Sequence, residues 1–453
     1  MPSDEDPPLQ LYPGIEVSKD GQLLAGGIRV VDLARMFGTP LYVYVEDSIR
    51  ERAREYLGEL RRLAGRAEVA YASKAYLSMR MARIASEEGL WLDVASGGEL
   101  FVALKAGFPP ERILFHGNNK SSEELRLAIG SGVGRVVADS FSEIRRIQEV
   151  ASALGRVQAV LIRIAPGIDP HTHKALATGR IDSKFGIPVY RNAHIEAVSL
   201  ALKMKNIRFS GFHCHVGSQI FEKTWFELAG KTMAGVCQDC LETTGVFPDE
   251  CDLGGGLGVA YVPEERNLPV REYCEALVGS FYGRLRASGL PLPRVFVEPG
   301  RSIVAQAGIT LYRVGTIKRL PSGQKLLAVD GGMADNPRPM LYSAKYRCFL
   351  ARQARQGHLS YRVVGKNCEE GDTLIEEACL PTVKSGDILA VMVTGAYHYS
   401  MSSNYNALPR PAVVHVYEGR AFLVVRRQTY MDLLDEQVRS AAGFAVASNM
   451  GAF

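Results

Sequence analysis

From residue 66 to residue 299 the chain alternates short apolar runs with amphipathic stretches of helical period, and this alternation limits the fold more than any other feature. Eight runs, 67–73, 90–96, 112–116, 135–139, 158–166, 207–217, 250–255 and 294–299, have the length and apolar content of buried strands. Most are followed by helical patterns such as "SSEELRLAIGSG", "SFSEIRRIQEVASALG" and "VREYCEALVGSFYGRLRASG". A strand that returns parallel to the last one needs a crossover of a dozen or more residues, which a helix supplies. Eight such units in about 240 residues predict a (β/α)8 barrel of the TIM type.

Beyond residue 305 the pattern changes. "ITLYRVGTIKRL", "QKLLAVDGG", "YRVVGKNC" and "PAVVHVYEGRAFLVVRRQ" are β-rich runs broken by Gly and Pro turns, which predicts a C-terminal antiparallel β-sandwich or barrel domain. The early stretch "GIEVSKDGQLLAGGIRV" also reads as strands joining that domain, and "TYMDLLDEQVRSA" as a closing helix. The expected division is therefore 1–45, 46–305 and 306–453.

Among 453 residues, 47% are hydrophobic and 23% charged, and the formal net charge is only +4, which points to a soluble protein without a nucleic-acid or membrane partner. The start "MPSDEDPPLQ" is acidic and Pro-rich, unlike a secretory signal. Eight cysteines without such a signal read as reduced thiols in a cytoplasmic protein, and the one CxxC, Cys237 to Cys240, falls in a helical pattern with no second pair.

A barrel of this kind carries its chemistry at the C-terminal ends of its strands. Lys74 follows the first strand, "ASGGE" (95–99) the second and "HGNNK" (116–120) the third. "HCHVGSQ" (213–219) ends the sixth, "LGGGLG" (253–258) the seventh and "EPGR" (298–301) the eighth. Glycines after the seventh strand let backbone N–H groups approach a phosphate, although a tight turn needs them too. Glu298 suits a cationic ring nitrogen, and Arg301 a carboxylate. His213 and His215 share a strand face, so they are a metal pair, core histidines, or an aromatic plate against a planar cofactor. With no convincing further ligands, the expected metal is none. A lysine, a phosphate cradle, a ring-facing histidine and a glutamate together describe a site for pyridoxal 5'-phosphate (PLP). Low-dielectric surroundings are expected to lower the Lys74 pKa toward the neutral amine that attacks an aldehyde.

These motifs, with "YASKA" (71–75), "TGRIDSKFGI" (178–187), "NPRPMLY" (336–342), "CEEGD" (368–372) and "GAYHYSMSSNYN" (395–406), resemble the alanine-racemase-type (fold III) PLP decarboxylases over nearly the whole chain from about residue 12. The resemblance implies that Lys74 is the Schiff-base lysine, His213 the residue stacked on the cofactor and Glu298 the partner of its ring nitrogen. It implies a phosphate cradle of Ser218, Gly255, Gly256, Gly258 and Gly300, with Tyr397 beside it. Arg301, Arg338 and Tyr342 are the implied clamp for the retained carboxylate, and Tyr397 also borders the substrate. Cys368 is the implied acid at the α-carbon and Glu369 the partner of the far ammonium, both contributed across a homodimer with shared active sites.

Two arginines beside an acid imply a substrate with a zwitterionic far end, as in meso-2,6-diaminopimelate, decarboxylated to L-lysine and carbon dioxide in the last step of lysine biosynthesis. The alternatives are PLP-dependent decarboxylation of another amino acid (D-lysine, D-ornithine or a carrier-linked one), a metal-dependent hydrolase on the same barrel, and a non-catalytic relative. Tyr76 stands where the family usually has Asn, Glu370 where it has Ser, and His398 where it has a smaller residue.

Overall fold

The computed structural model describes residues 11–169, 182–355, 357–435 and 437. Eight parallel strands, Ala67–Ala72, Trp91–Val94, Ile113–Phe115, Arg135–Ala138, Gln158–Ala165, Ile207–Cys214, Glu250–Asp252 and Arg294–Val297, pair in sequence order. The eighth returns to the first through Val295 and Ala67, which closes the barrel. Each strand lies within a run that the sequence marks as apolar. Several of the following helices begin on a serine whose hydroxyl accepts a helix N–H: Ser78, Ser96, Ser121 and Ser140. Ser121 and Glu124 complete a reciprocal capping box.

The barrel interior is layered. Ala70, Trp91, Leu114, Val137, Leu161 and Phe296 form an apolar plug of their own, with the Trp91 and Phe296 rings edge to face at 4.9 Å. Side chains two residues further along a strand point the same way. The next layer toward the C-terminal rim is therefore Ala72, Asp93, His116, Asp139, Arg163 and Glu298, joined by His213 and Asp252. Apart from Ala72 it is polar throughout, and it is buried. The plug closes the barrel below, so this polar floor faces only the rim.

The second domain is mixed rather than antiparallel. Its long sheet runs Thr373–Leu380, Leu359–Val364, Lys325–Val329, Gly308–Arg319, Leu41–Val45, Ala412–Tyr417, Arg420–Val425. Leu41–Val45 lies parallel to Ala412–Tyr417, and Lys325–Val329 parallel to Leu359–Val364. The first pair has the whole barrel as its crossover, so no hairpin imposes an antiparallel register. Of the early strands, only Leu41–Val45 enters this sheet. Ile15–Val17, Leu23–Ala25 and Ile28–Arg29 pair with one another and are tied to it by the Leu23 N–H, which donates to the Ala351 carbonyl at 2.8 Å. The expected terminal helix shows a single turn at Asp432–Leu434, and its residues 436 and 438–441 lie outside the described residues.

Tyr76 belongs to the seam between the two domains. Its ring stacks on Tyr44 at 4.1 Å and 13°, and its hydroxyl lies 2.9 Å from Nε2 of His415. Glu46, where the chain passes from one domain to the other, approaches Nδ1 of the same histidine at 3.4 Å and pairs with Arg50 and Arg80. The bulk of Tyr76 fills this buried seam.

Candidate active site

Above the polar floor lies a cavity of about 250 Å³, with Lys74, His116, Arg163 and His213 along one part and Arg301, Arg338 and Tyr342 along another. Lys74 Nζ donates to Asp93 Oδ2 at 2.9 Å, and the lysine side chain remains two-fifths exposed to the cavity. Burial lowers its pKa, as the sequence reading expects, but the charges of Asp93 and Glu298 outweigh burial and the net shift is upward. The unloaded protein therefore holds Lys74 as an ammonium, which corrects the expectation of a neutral amine.

Glu298 sits between two imidazoles. His213 Nε2 is 3.1 Å from Oε2, and His116 Nε2 is 2.7 Å from Oε1 but misaligned for a hydrogen bond. Burial opposes the charge on Glu298, yet the flanking histidines hold its pKa well below the usual carboxylate range. Burial pushes His213 down to about 4, so it stands neutral and donates from Nε2. Asp252, next along the floor, is shifted far upward by burial and by the Glu298 charge, and is therefore protonated. His213 Nδ1, Glu298 Oε1, His116 Nε2 and Asp93 Oδ1 are all buried without a hydrogen-bond partner. Buried polar atoms in such number call for a polar guest. A protonated pyridine ring satisfies the carboxylate, and a planar face suits His213, so the floor fits PLP.

The glycine-rich loop is built for close approach. A Cβ on Gly255 would lie 2.1 Å from the Glu298 carbonyl oxygen, and one on Gly256, at φ 115°, 2.6 Å from that of Gly217. The N–H of Gly255 points to His215 Nδ1 and that of Gly258 donates to the Ile220 carbonyl, so these two shape the loop and keep no free donor. Gly256 itself lines a small side cavity with Ser218, Gly300, Arg301 and Tyr397, at the place expected for a phosphate.

The HxH pair does not converge as a metal site, because His215 turns to the Gly255 N–H. Among the described residues one set of possible metal ligands exists, His116, His213, Asp252 and Glu298, with ligand atoms within 4.8 Å of one another. The set is the polar floor itself, where burial and the Glu298 charge disfavour an anionic Asp252.

At the other end, Arg301 donates to the Tyr261 hydroxyl at 2.7 Å and to Ser218 Oγ at 3.0 Å, with its guanidinium 4.8 Å from the Tyr397 ring. Arg338 donates to the Tyr346 hydroxyl at 2.6 Å. His398 is buried behind Tyr346, edge-on at 5.4 Å, and burial together with Arg338 and Arg301 keeps it neutral. Cys368, Glu369 and Glu370 are exposed and are not brought to this cavity; the Cys368 N–H donates to Asn406 Oδ1 and Glu369 accepts from the Tyr405 hydroxyl.

Reasoning from motifs passed over Asp93, His116 and Arg163 as parts of one floor. The signal was present: each lies two residues beyond a plug residue, Trp91, Leu114 and Leu161. Reading it requires knowing which face of each strand turns inward.

A family model described as "Pyridoxal-dependent decarboxylase, pyridoxal binding domain" matches residues 46–305. The chain is 44% identical over 418 residues to a diaminopimelate decarboxylase of Bacillus subtilis, covering 92% of this chain and 95% of that one. It is 44% identical over 431 residues to its counterpart in Mycobacterium tuberculosis, again covering 92% and 95%. The crystal structure of diaminopimelate decarboxylase from M. jannaschii in complex with L-lysine superposes with a TM-score of 0.88 at 32% identity, covering 94% of this chain and 98% of that one.

Proposed function

The chain belongs to the pyridoxal-dependent decarboxylases, with relatives that act on diaminopimelate, and from that premise we propose how its residues divide the work. The reaction is the decarboxylation of meso-2,6-diaminopimelate to L-lysine and carbon dioxide. The cofactor is PLP, which when bound supplies an electron-withdrawing ring that accepts the electron pair left as the carboxylate departs.

Lys74 would hold the cofactor's aldehyde carbon through Nζ, with Asp93, 2.9 Å away, orienting the amine. Glu298, kept anionic, would hold a proton on the ring nitrogen, and neutral His213 would stack on the ring face. Ser218, Gly256, Gly300 and Tyr397 would hold the phosphate, on a loop shaped by Gly255 and Gly258. Arg301, Arg338 and Tyr342, with Tyr397, receive the carboxylate that is retained. Cys368 delivers a proton to the α-carbon and Glu369 meets the far ammonium. Their exposure outside their own cavity supports a head-to-tail homodimer in which each copy completes the other's site. We also propose domain boundaries at 45/46 and 305/306 and a cytoplasmic location; no helix among the described residues is long and apolar enough to cross a membrane.

The observation that carries this reading is one cavity that joins Lys74, His213 and Glu298 to Arg301 and Arg338. A simple diamine precursor has no far carboxylate for two guanidiniums to bind. Carbon dioxide release is expected from meso-diaminopimelate and not from lysine, ornithine or their D-forms. Activity confined to one of those simple diamino acids would overturn the assignment.

A further inference from the structure

Arg301 and Arg338 are both buried, and among the described residues no carboxylate forms an ion pair with either. They converge instead on one aromatic residue. The Tyr261 hydroxyl oxygen accepts from Arg301 Nη1 at 2.7 Å, while the Arg338 guanidinium lies 4.7 Å from the centre of the same ring. Tyr346, which takes the Arg338 donor, stands edge-on to Tyr261 at 5.5 Å. Tyr261 is buried, behind a cavity wall made by the two arginines and Tyr342.

Two like charges on one ring repel each other, and burying cations without anions is costly unless a guest anion completes the set. The field is strong enough to leave the Tyr261 pKa lowered: burial raises it, but Arg301 and Arg338 outweigh burial. An oxygen that accepts from one guanidinium, and a ring face offered to the other, fix both forks relative to each other.

We infer that Tyr261 is a positioning residue for substrate specificity: through Arg301 and Arg338 it holds two guanidiniums as one receptor for the carboxylate of a retained amino-acid end. This deepens the functional reading above and rests on it. Without the phenol oxygen, Arg301 keeps only Ser218 as its hydrogen-bond partner. Arg338 keeps Tyr346. The two forks then no longer share an anchor, although the cavity keeps its volume and charge.

The test is Tyr261→Phe in the PLP-loaded full-length enzyme, with L-lysine and cadaverine as a pair of ligands that differ by the carboxylate. L-lysine is expected to bind about tenfold more weakly, the loss of one charge-assisted hydrogen bond, while cadaverine keeps its affinity. KM for meso-diaminopimelate rises with kcat retained, and PLP affinity, read from cofactor dissociation, stays the same. Equal weakening of both ligands, no change in either, or a loss of PLP affinity would each overturn the inference. Arg338→Ala in parallel separates the layers of the argument. If it weakens L-lysine and Tyr261→Phe does not, only the role of Tyr261 falls. If Arg338→Ala leaves L-lysine binding intact, the carboxylate clamp itself is wrong and this inference falls with it.

Discussion

The two ends of the cavity solve opposite electrostatic problems. At the ring end, each ion finds a partner inside the protein: Lys74 faces Asp93, and the Glu298 carboxylate accepts from neutral His213. At the arginine end, Arg301 and Arg338 meet only hydroxyls and aromatic faces among the described residues. A matched cluster stands on its own and is adjusted by a bound ring. An unmatched pair of guanidiniums is completed only by an anion from outside. The first arrangement suits chemistry common to many amino acids, and the second suits the choice among them.

The largest expected effect tests the ring end. Lys74→Ala removes the attachment point, so turnover should fall at least about a thousandfold, with loss of the visible absorption band of the bound cofactor. A band that persists would remove Lys74 from its role. Arg338→Ala tests the other end and should act on KM, raising it about ten- to a hundredfold while cofactor affinity is unchanged. A fall in kcat at constant KM would erase the proposed division between the two ends.

A smaller effect separates them by pH. His213 titrates at about 4 in the fold instead of the ordinary 6.5. Between these values the unfolded chain binds more protons than the folded one, so stability is fully present above 6.5 and is lost as pH falls toward 4. Denaturant titrations of the unloaded enzyme should show a slope to which His213 contributes with the other buried histidines, and His213→Asn should reduce it. Arginines do not titrate there, so His213→Asn should reduce the slope by the same amount in an Arg338→Ala background. The smallest effect belongs to neither end. Tyr76→Phe removes the hydroxyl facing His415 and should cost about 1 kcal/mol of stability, read as a lowered melting temperature, with kinetics preserved. A marked change in kcat would move Tyr76 from the seam into the site.

Much of this was legible in the chain. The eight strand runs, the rim positions of Lys74, Glu298 and Arg301, and the switch to β structure after residue 305 follow from periodicity, length and turn residues, which are local properties. The motifs after the strands then located the site, because a barrel gathers its strand ends on one rim.

What sequence reading left open depended on neighbours distant in the chain. Isolated burial predicts a neutral Lys74, but its charge state depends on Asp93 and Glu298, which other strands bring to it. Glycines that read as phosphate donors turned out in part to be sites where two loops touch. The use of Tyr76 depended on Tyr44 and His415, which come from opposite ends of the chain. Tyr261 carried no motif, because its meaning lies in two arginines 40 and 77 residues further on. The sequence by itself determined which residues are available and which runs become strands and helices. Tertiary structure alone decided which charges meet, and electrostatic energies depend on those distances and on burial.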